Sequence, residues 1–390
     1  MTPTVVVVGL GGIGSAALAA IARRGCRAIG VDRFEPPHQR GGTHGGSRII
    51  RAAYFEHPDY VPLARASLEA WRRVERETGE RCLHANGVLL LGPPTSAILE
   101  ACATSARLHG VPIETFGATE IVERWPMFEI PRDWEGVHEP DAGFVVPEVG
   151  VRAHLDLARR HGAKILTDTE VLGLDDDRDG VVVRLGEQVV RADTVVVAAG
   201  AWTRSLLPEL SSAGLEPQRK AIVWSRPTVA WRDAVDARRM PAWLIDDEGA
   251  SGDGAYYGVP PHADQVGPDG MKVGFHGAGP PVEPDGSGGR SEPDVVQRFH
   301  RDVSRYLPGV LENPHDSRRC LYTMSADRHF VIGRVPGRPS IVAASGFSGH
   351  GYKFAPVLGE GLAAIAVGDD PPAEFGFLSP DRFGEPRVSE

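Results

Sequence analysis

Residues 5–32 read VVVVGLGGIGSAALAAIARRGCRAIGVD. A short β-branched run leads into Gly9-x-Gly11-x-x-Gly14. An apolar stretch follows, two arginines and Gly25 close it, and a second strand-like run ends in Asp32. The physical reading is strand, helix, strand. Gly9 permits a tight turn, Gly11 lets a pyrophosphate approach the backbone, and Gly14 lets helix and strand pack closely. The helix N-terminus then presents unpaired N–H groups and positive partial charge to phosphates. Asp32 stands where an acid accepts hydrogen bonds from ribose hydroxyls. In a chain with 47 glycines the bare glycine spacing carries little weight. The preceding strand, the following helix and the terminal acid carry it. A dinucleotide site is expected, with NAD and FAD both open at this point.

Around this unit, 390 residues that are 42% hydrophobic and 24% charged suffice for a large core, and two domains are expected. Forty-two Lys and Arg against 52 Asp and Glu leave a formal charge of −10. No basic run offers a phosphate-tracking stripe, so nucleic acid is not an expected partner. The four cysteines, Cys26, Cys82, Cys102 and Cys320, are too sparse for a disulfide framework and include no Cys-x-x-Cys pair. A reduced, cytoplasmic protein without a metal centre is expected. The apolar run 5–22 has no basic leader, and no other stretch is long and apolar enough to span a bilayer, so no membrane association is expected.

Downstream, a glycine-rich loop, HQRGGTHGGSRIIR (38–51), precedes a helix-spaced run over 60–79. GVLLLG (87–92) reads as a buried strand, followed by a helix over 95–109, a turn-rich stretch over 125–148 and a helix over 149–162. Strands from 163 onward end in DTVVVAAG (193–200), with Ala201 and Trp202 next. Residues 247–293 are dense in Gly, Pro and Asp. Two strand-like pieces interrupt them, AYYGVPP (255–261) and MKVGFHG (271–277), which predicts a hairpin with a long loop. Near the C-terminus, SIVAASGFSGHGYKFAPVLGEGLAAIAVG (340–368) reads as strand, glycine-rich turn and helix, a second place for backbone amides to meet a cofactor. Cofactor signals at the start, middle and end of the chain imply an interleaved architecture. The cofactor domain is drawn from 1–85, 146–216 and 320–390, and the substrate domain from 86–145 and 217–319.

The segments GGIGSAALAAIARRG, VDRFEPPH, HGGSRIIRAAY, YVPLA, AAGAW, RRCLYTMSADRHFVIG and GFSGHGYKFAP occur in that order. Together they resemble the monomeric sarcosine oxidase and N-methyl-tryptophan oxidase family of flavoproteins, over nearly the whole chain. The resemblance implies FAD rather than NAD. It implies an α/β fold, α+β overall, with a Rossmann-like FAD-binding domain built on a parallel sheet. The interleaved substrate domain would carry a mixed, largely antiparallel sheet. It further implies a monomer that oxidises the C–N bond of a secondary amino acid with O2, giving an imine and H2O2.

Site residues follow from the same resemblance. Cys320 matches the cysteine that carries FAD through a thioether to the flavin 8α carbon; the adjacent Arg318 and Arg319 either favour its thiolate electrostatically or are solvated charges. Gly9, Gly11, Gly14, Asp32, Gly200, Trp202, Gly346 and Gly349 are expected at the cofactor, with His44 and Arg48 along the flavin. Arg51 and Lys353 match a clamp for the substrate carboxylate, Lys353 also bordering the cofactor; a guanidinium binds a carboxylate in two places. Tyr257, His276 and Tyr322 match pocket residues, and His276 acts either as a base or as an orienting group. The pocket should be less polar than water, lowering the amine's pKa so that its lone pair is free. Lys272 matches the lysine that activates O2, where a cation stabilises superoxide as it forms. Two departures border the substrate side: the loop between Tyr257 and Lys272 is longer than in the sarcosine enzymes, and 242–254 matches poorly. A bulkier substrate is therefore open, and a cyclic imino-acid oxidase is the alternative. A nicotinamide-dependent dehydrogenase would share Gly9 to Asp32 but leave Cys320 without a role.

Overall fold

The computed structural model describes residues 2–247 and 254–384. Most of the glycine-rich part of the poorly matched 242–254 stretch, 248–253, lies outside the described residues, as do Met1 and 385–390 of the expected cofactor domain.

The strand Thr4–Val8 lies inside a six-stranded sheet, between Arg27–Val31 and Thr194–Val197, both parallel to it. Lys164–Leu166 extends the sheet on one side; Arg338–Ser345 extends it on the other, and Val331–Val335 closes that edge antiparallel. A run of valines suits this position because both faces of the strand are covered. Val5 and Val7 pack on the helices Gly12–Arg23, Pro147–Arg160 and Ala355–Val367, and Val6 and Val8 on the three-stranded antiparallel sheet 173–192.

The second large sheet has eight strands. In order they are Asp316–Met324, Glu216–Ser225, Met271–Gly277, Gly254–Val259, Ala242–Ile245, Val88–Gly92, Glu135–Glu139 and Glu114–Gly117. Every neighbouring pair is antiparallel except Ala242–Ile245 with Val88–Gly92. The expected hairpin forms, with Tyr257 opposite Gly274 and Val259 opposite Lys272. Side chains alternate between faces along a strand. Met271, Val273 and Phe275 therefore enter a core with Trp243, Tyr256 and Phe299, while Lys272 and His276 share the opposite face with Tyr257. The mixed α/β class, with one mainly parallel and one mainly antiparallel large sheet, is the expected one. No helix among the described residues is long and apolar enough to cross a membrane.

Two readings change. The turn-rich stretch 125–148 contains the strands Glu135–Glu139 and Gly143–Val145, whose partners are distant in sequence: Val88–Gly92 and Glu114–Gly117 for the first, Arg48–Ile50 and Leu83–His84 for the second. Cys320 lies within a nine-residue strand, paired with Lys220, so a domain boundary between 319 and 320 would cut a continuous ladder. We propose the same two-part division of the chain with that boundary moved beyond Met324.

At the first turn, Gly9 has φ +87°, and a Cβ on Gly14 would stand 1.7 Å from the Gly9 carbonyl oxygen. A Cβ on Gly11 would meet only the Thr43 hydroxyl, at 3.4 Å. Gly14→Ala is therefore expected to lower stability by about 1–3 kcal/mol through overpacking, whereas Gly11→Ala changes it by less than about 0.5 kcal/mol. Urea unfolding midpoints of the two variants check this; equal midpoints would contradict it.

Candidate active site

A cavity of about 410 Å³ opens at the C-terminal ends of the parallel strands. Gly9, Gly11, Asp32, Arg48, Gly200, Trp202 and Gly349 line it, as do the backbone neighbours of Cys320 on its C-terminal side. Gly14 lies under the turn rather than in the cavity, and Gly346 (φ +62°) shapes the turn after the Arg338–Ser345 strand. Asp32 also builds the turn itself: Oδ2 accepts from Leu10 N–H at 2.6 Å and Oδ1 from Phe34 N–H at 2.9 Å. The Gly12 N–H, in the first turn of the helix, donates to Thr43 Oγ1 at 3.1 Å.

The loop 42–53 brings most of the remaining residues together. Glu148 accepts from the N–H groups of Gly45 (2.7 Å) and Gly46 (3.1 Å), and Glu139 from those of Ala52 and Ala53, each at 2.8 Å. Sequence reasoning missed both carboxylates and Thr43, because their contacts span 31 to 103 residues. Between these anchors, Ser47 O accepts from Lys272 Nζ at 2.5 Å. Lys272 is buried, and that burial, followed by the nearby Arg48, holds its pKa well below the ordinary lysine value.

Cys320 is buried, with Sγ 3.7 Å from the Arg48 guanidinium and 3.7 Å from Gly42 O. Of the two readings of Arg318 and Arg319, the structure favours charges engaged away from the thiol. Arg319 pairs with Glu292 at 3.0 Å, and Arg318 lies over the Trp224 ring and 3.9 Å from Asp316. Alternation along the strand turns Arg319 to the opposite face. The other three cysteines include Cys82 and Cys102, whose thiols burial pushes up to about 12.

A second, smaller cavity of about 70 Å³ is lined by Arg51, Tyr257, His276, Tyr322 and Lys353, together with Glu56 and His350, which the sequence reading did not single out. Arg51 donates to Glu56 Oε2 at 2.8 Å and to Ala53 O at 2.6 Å, and lies 3.9 Å from the Phe55 ring centroid. Burial pushes the Glu56 carboxyl up, but Arg51, together with His350, Lys353 and His276, outweighs it and holds the group well below the usual carboxylate range. Lys353 Nζ donates to Tyr54 OH at 3.3 Å, and burial brings its pKa down to about 7. Burial likewise holds His276 at about 4 and His350 at about 3, so both rings are neutral at pH 7. Lys272 is not among the lining residues; it lies behind Tyr257, 5.9 Å from the ring centroid. Arg48, Tyr322, Gly349 and Tyr352 line both cavities, so the two share a wall.

The FAD implied by the sequence fits these residues. The glycine turn leaves open the space that side chains would fill. A Cβ on Gly11 would meet only the Thr43 hydroxyl, whereas His44, expected along the flavin, is 1% exposed and lines neither cavity. Gly9, Gly11, Asp32 and Gly200 would hold the dinucleotide portion, and Arg48 would border the ring system.

Residues 4–365 match the family described as DAO, FAD dependent oxidoreductase. The chain is 37% identical to monomeric sarcosine oxidase of Streptomyces avermitilis, covering 98% of this chain and 99% of that one. It is 33% identical to N-methyl-L-tryptophan oxidase of Yersinia pestis, covering 97% and 98%. Among solved structures it is similar to NikD, an unusual amino acid oxidase essential for nikkomycin biosynthesis, with a TM-score of 0.84 at 26% identity over 97% of this chain and 98% of that one. The glycine turn, the strand order and these matches agree: the chain belongs to the DAO family of FAD-dependent oxidoreductases.

Proposed function

We propose that this protein is a monomeric, cytoplasmic oxidase of a secondary amino acid, N-methyl or cyclic, that uses O2 as acceptor and releases an imine and H2O2. The observation that carries this reading is the shared wall. A pocket with one fixed cation, Arg51, one titratable amine, Lys353, and neutral histidines abuts the dinucleotide cavity through Arg48, Tyr322, Gly349 and Tyr352. FAD, when bound, supplies the two-electron acceptor that takes a hydride equivalent from the substrate and passes its electrons to O2.

The protein's own groups do the rest. Arg51 and Lys353 bind the substrate carboxylate, Arg51 exchanging part of its contact with Glu56 for the ligand. A secondary ammonium must lose a proton before its nitrogen lone pair can assist C–H cleavage, and neutral His276 can accept that proton or hold the free amine. The apolar walls Ile49, Phe55 and Leu244 keep water away and disfavour the charged amine. The free volume has room for about five water-sized groups, which supports a compact substrate such as N-methylglycine or a small ring. Lys272 would stabilise the anion formed as O2 takes its first electron. Peroxide release across a panel of N-methyl and cyclic amino acids tests the proposal; no turnover with any secondary amino acid would overturn it.

We also propose that Cys320 holds FAD covalently, supported by its burial beside the cofactor cavity and by Arg48, which can stabilise a thiolate. Acid-precipitated wild type is then expected to stay yellow, and Cys320→Ala to release its flavin into the supernatant. A colourless wild-type pellet would contradict the tether.

Lys353, held at about 7, is charged below that pH and neutral above it. A competitive inhibitor with a carboxylate and no amine should therefore bind more weakly as pH rises through about 7, losing roughly ten- to hundredfold, the worth of one charge-assisted contact. Lys353→Met should bind it weakly at every pH. A flat wild-type profile would remove Lys353 from the clamp.

Lys272→Met keeps length and deletes charge. Its oxidative half-reaction is expected to slow by about two to three powers of ten, as for a preorganised electrostatic group, while reduction by substrate under anaerobic conditions changes far less. Stopped-flow absorbance follows both phases, and wild-type reoxidation in the variant would exclude this lysine from the oxygen site.

A further inference from the structure

A large concavity of about 900 Å³ opens where the strand Leu83–His84, the end of the helix Ala118–Arg124, the segment 236–241 and the turn 261–263 meet. It shares no lining residue with the two cavities described above. Arg81, Arg124, Arg238 and Arg239 line it against a single lining carboxylate, Asp236. Asp236 takes Arg238 at 2.7 Å. From outside the lining, Glu114 takes Arg124 at 3.2 Å and Asp264 takes Arg81 at 3.5 Å. Arg239 has no side-chain ion pair among the described residues.

Charge alone would describe a solvated surface, but buried polar atoms here also lack partners. His84 Nε2 and His262 Nδ1 are shut off from solvent with no hydrogen bond. The nearest carboxylate oxygen to His84 Nε2 belongs to Asp264, at 3.8 Å, beyond hydrogen-bonding range. His84 is 5% exposed, and its ring is fixed by stacking on Phe144 at 4.7 Å and by His262 at 4.7 Å. Burial holds both histidines at about 4, so each is neutral near pH 7 and keeps one N–H to donate. Buried polar groups in folded proteins are rarely left unpaired, and a ligand is one source of the missing partner. Trp125, Pro241 and Pro261 add apolar wall beside these donors.

We propose that this concavity binds a small organic oxyanion carrying at least two negative charges. The arginine forks would take the charged oxygens bidentately, the histidines would donate single hydrogen bonds, and the apolar wall would cover the carbon body. A phosphate ester and a polycarboxylate share this chemistry. Both neighbouring structures lead toward the oxidoreductase centre: His84 sits in the small sheet with Arg48–Ile50, and His262 in the loop joining the Tyr257 and Lys272 strands.

The test is calorimetric titration of the flavin-loaded enzyme with inorganic phosphate and, separately, with citrate, at ionic strength held constant with sodium chloride. Saturable binding of either anion at one site per chain is expected. The double variant Arg124→Gln/Arg239→Gln, both surface arginines, should weaken it by at least about tenfold, the scale of a charge-assisted contact, with the flavin spectrum and the oxidase activity of the wild type. Saturation by phosphate alone assigns the phosphate-ester class, and by citrate alone the polycarboxylate class. Heats no larger than those of chloride overturn the site. So does unchanged affinity in the double variant, which would put the anion at the Arg51–Lys353 pair or at the dinucleotide cavity.

Discussion

A carboxylate shut away from water must find donors, and Glu148 and Glu139 find theirs in the backbone of one short segment. Gly45 and Gly46, at φ +91° and +74°, turn two successive N–H groups onto the same Glu148 side chain, a concave arrangement that suits an anion. Seven residues on, Ala52 and Ala53 do the same for Glu139. The chain between these anchors carries Arg48 toward Cys320, Ser47 O toward Lys272, and Arg51 into the smaller cavity. Of the four residues common to both cavities, this segment supplies Arg48, so the two buried acids position a group they never touch.

The charges around that wall divide into fixed and adjustable ones. Burial opposes the charge on Arg48 and Arg51, yet neighbouring groups together, Cys320 with Tyr257, Tyr322 and Glu148 for the first and Glu56 with Tyr54 and Cys102 for the second, keep both guanidinium pKa values above the ordinary one. The lysines yield to burial instead: Lys272 falls well below its usual value, Lys353 to about 7 and Lys220 to about 8. A guanidinium is too basic to lose its proton in a protein, whereas a buried ammonium shifts readily. An anion can thus be gripped at any pH by the arginines and more selectively by the lysines. Lys220, cross-strand partner of Cys320, lies 5.0 Å from the Tyr322 ring centroid, a second cation on the thiol's face that no local motif announced.

How far the site was legible depended on how local each signal was. Motif residues on one turn or one hairpin were readable: Gly9, Gly11 and Asp32 at the first crossover, and Lys272 and His276 two pleats apart on one face. Sequence left the role of Arg318 and Arg319 open because adjacency along a strand is not adjacency in space, and Arg48, 272 residues away, is a cation at Cys320. The strand Gly143–Val145 was hidden in turn-forming sequence because its pairing lies with Arg48–Ile50 and Leu83–His84, not with its own flanks.

The sequence by itself determined the parallel-sheet fold, since valines without polar alternation over 5–8 can be satisfied only by a strand covered on both faces. It also determined the dinucleotide turn, because a side chain at Gly14 would collide with the Gly9 carbonyl in the close strand–helix crossing. What only the tertiary structure decided was the electrostatic character of the site: which carboxylate meets Arg51, which backbone groups hold the 42–53 loop, and which lysines lose basicity. Those outcomes depend on burial and on partners brought from distant strands. Desolvation and Coulomb terms are set by distance in space, which residue order alone does not supply.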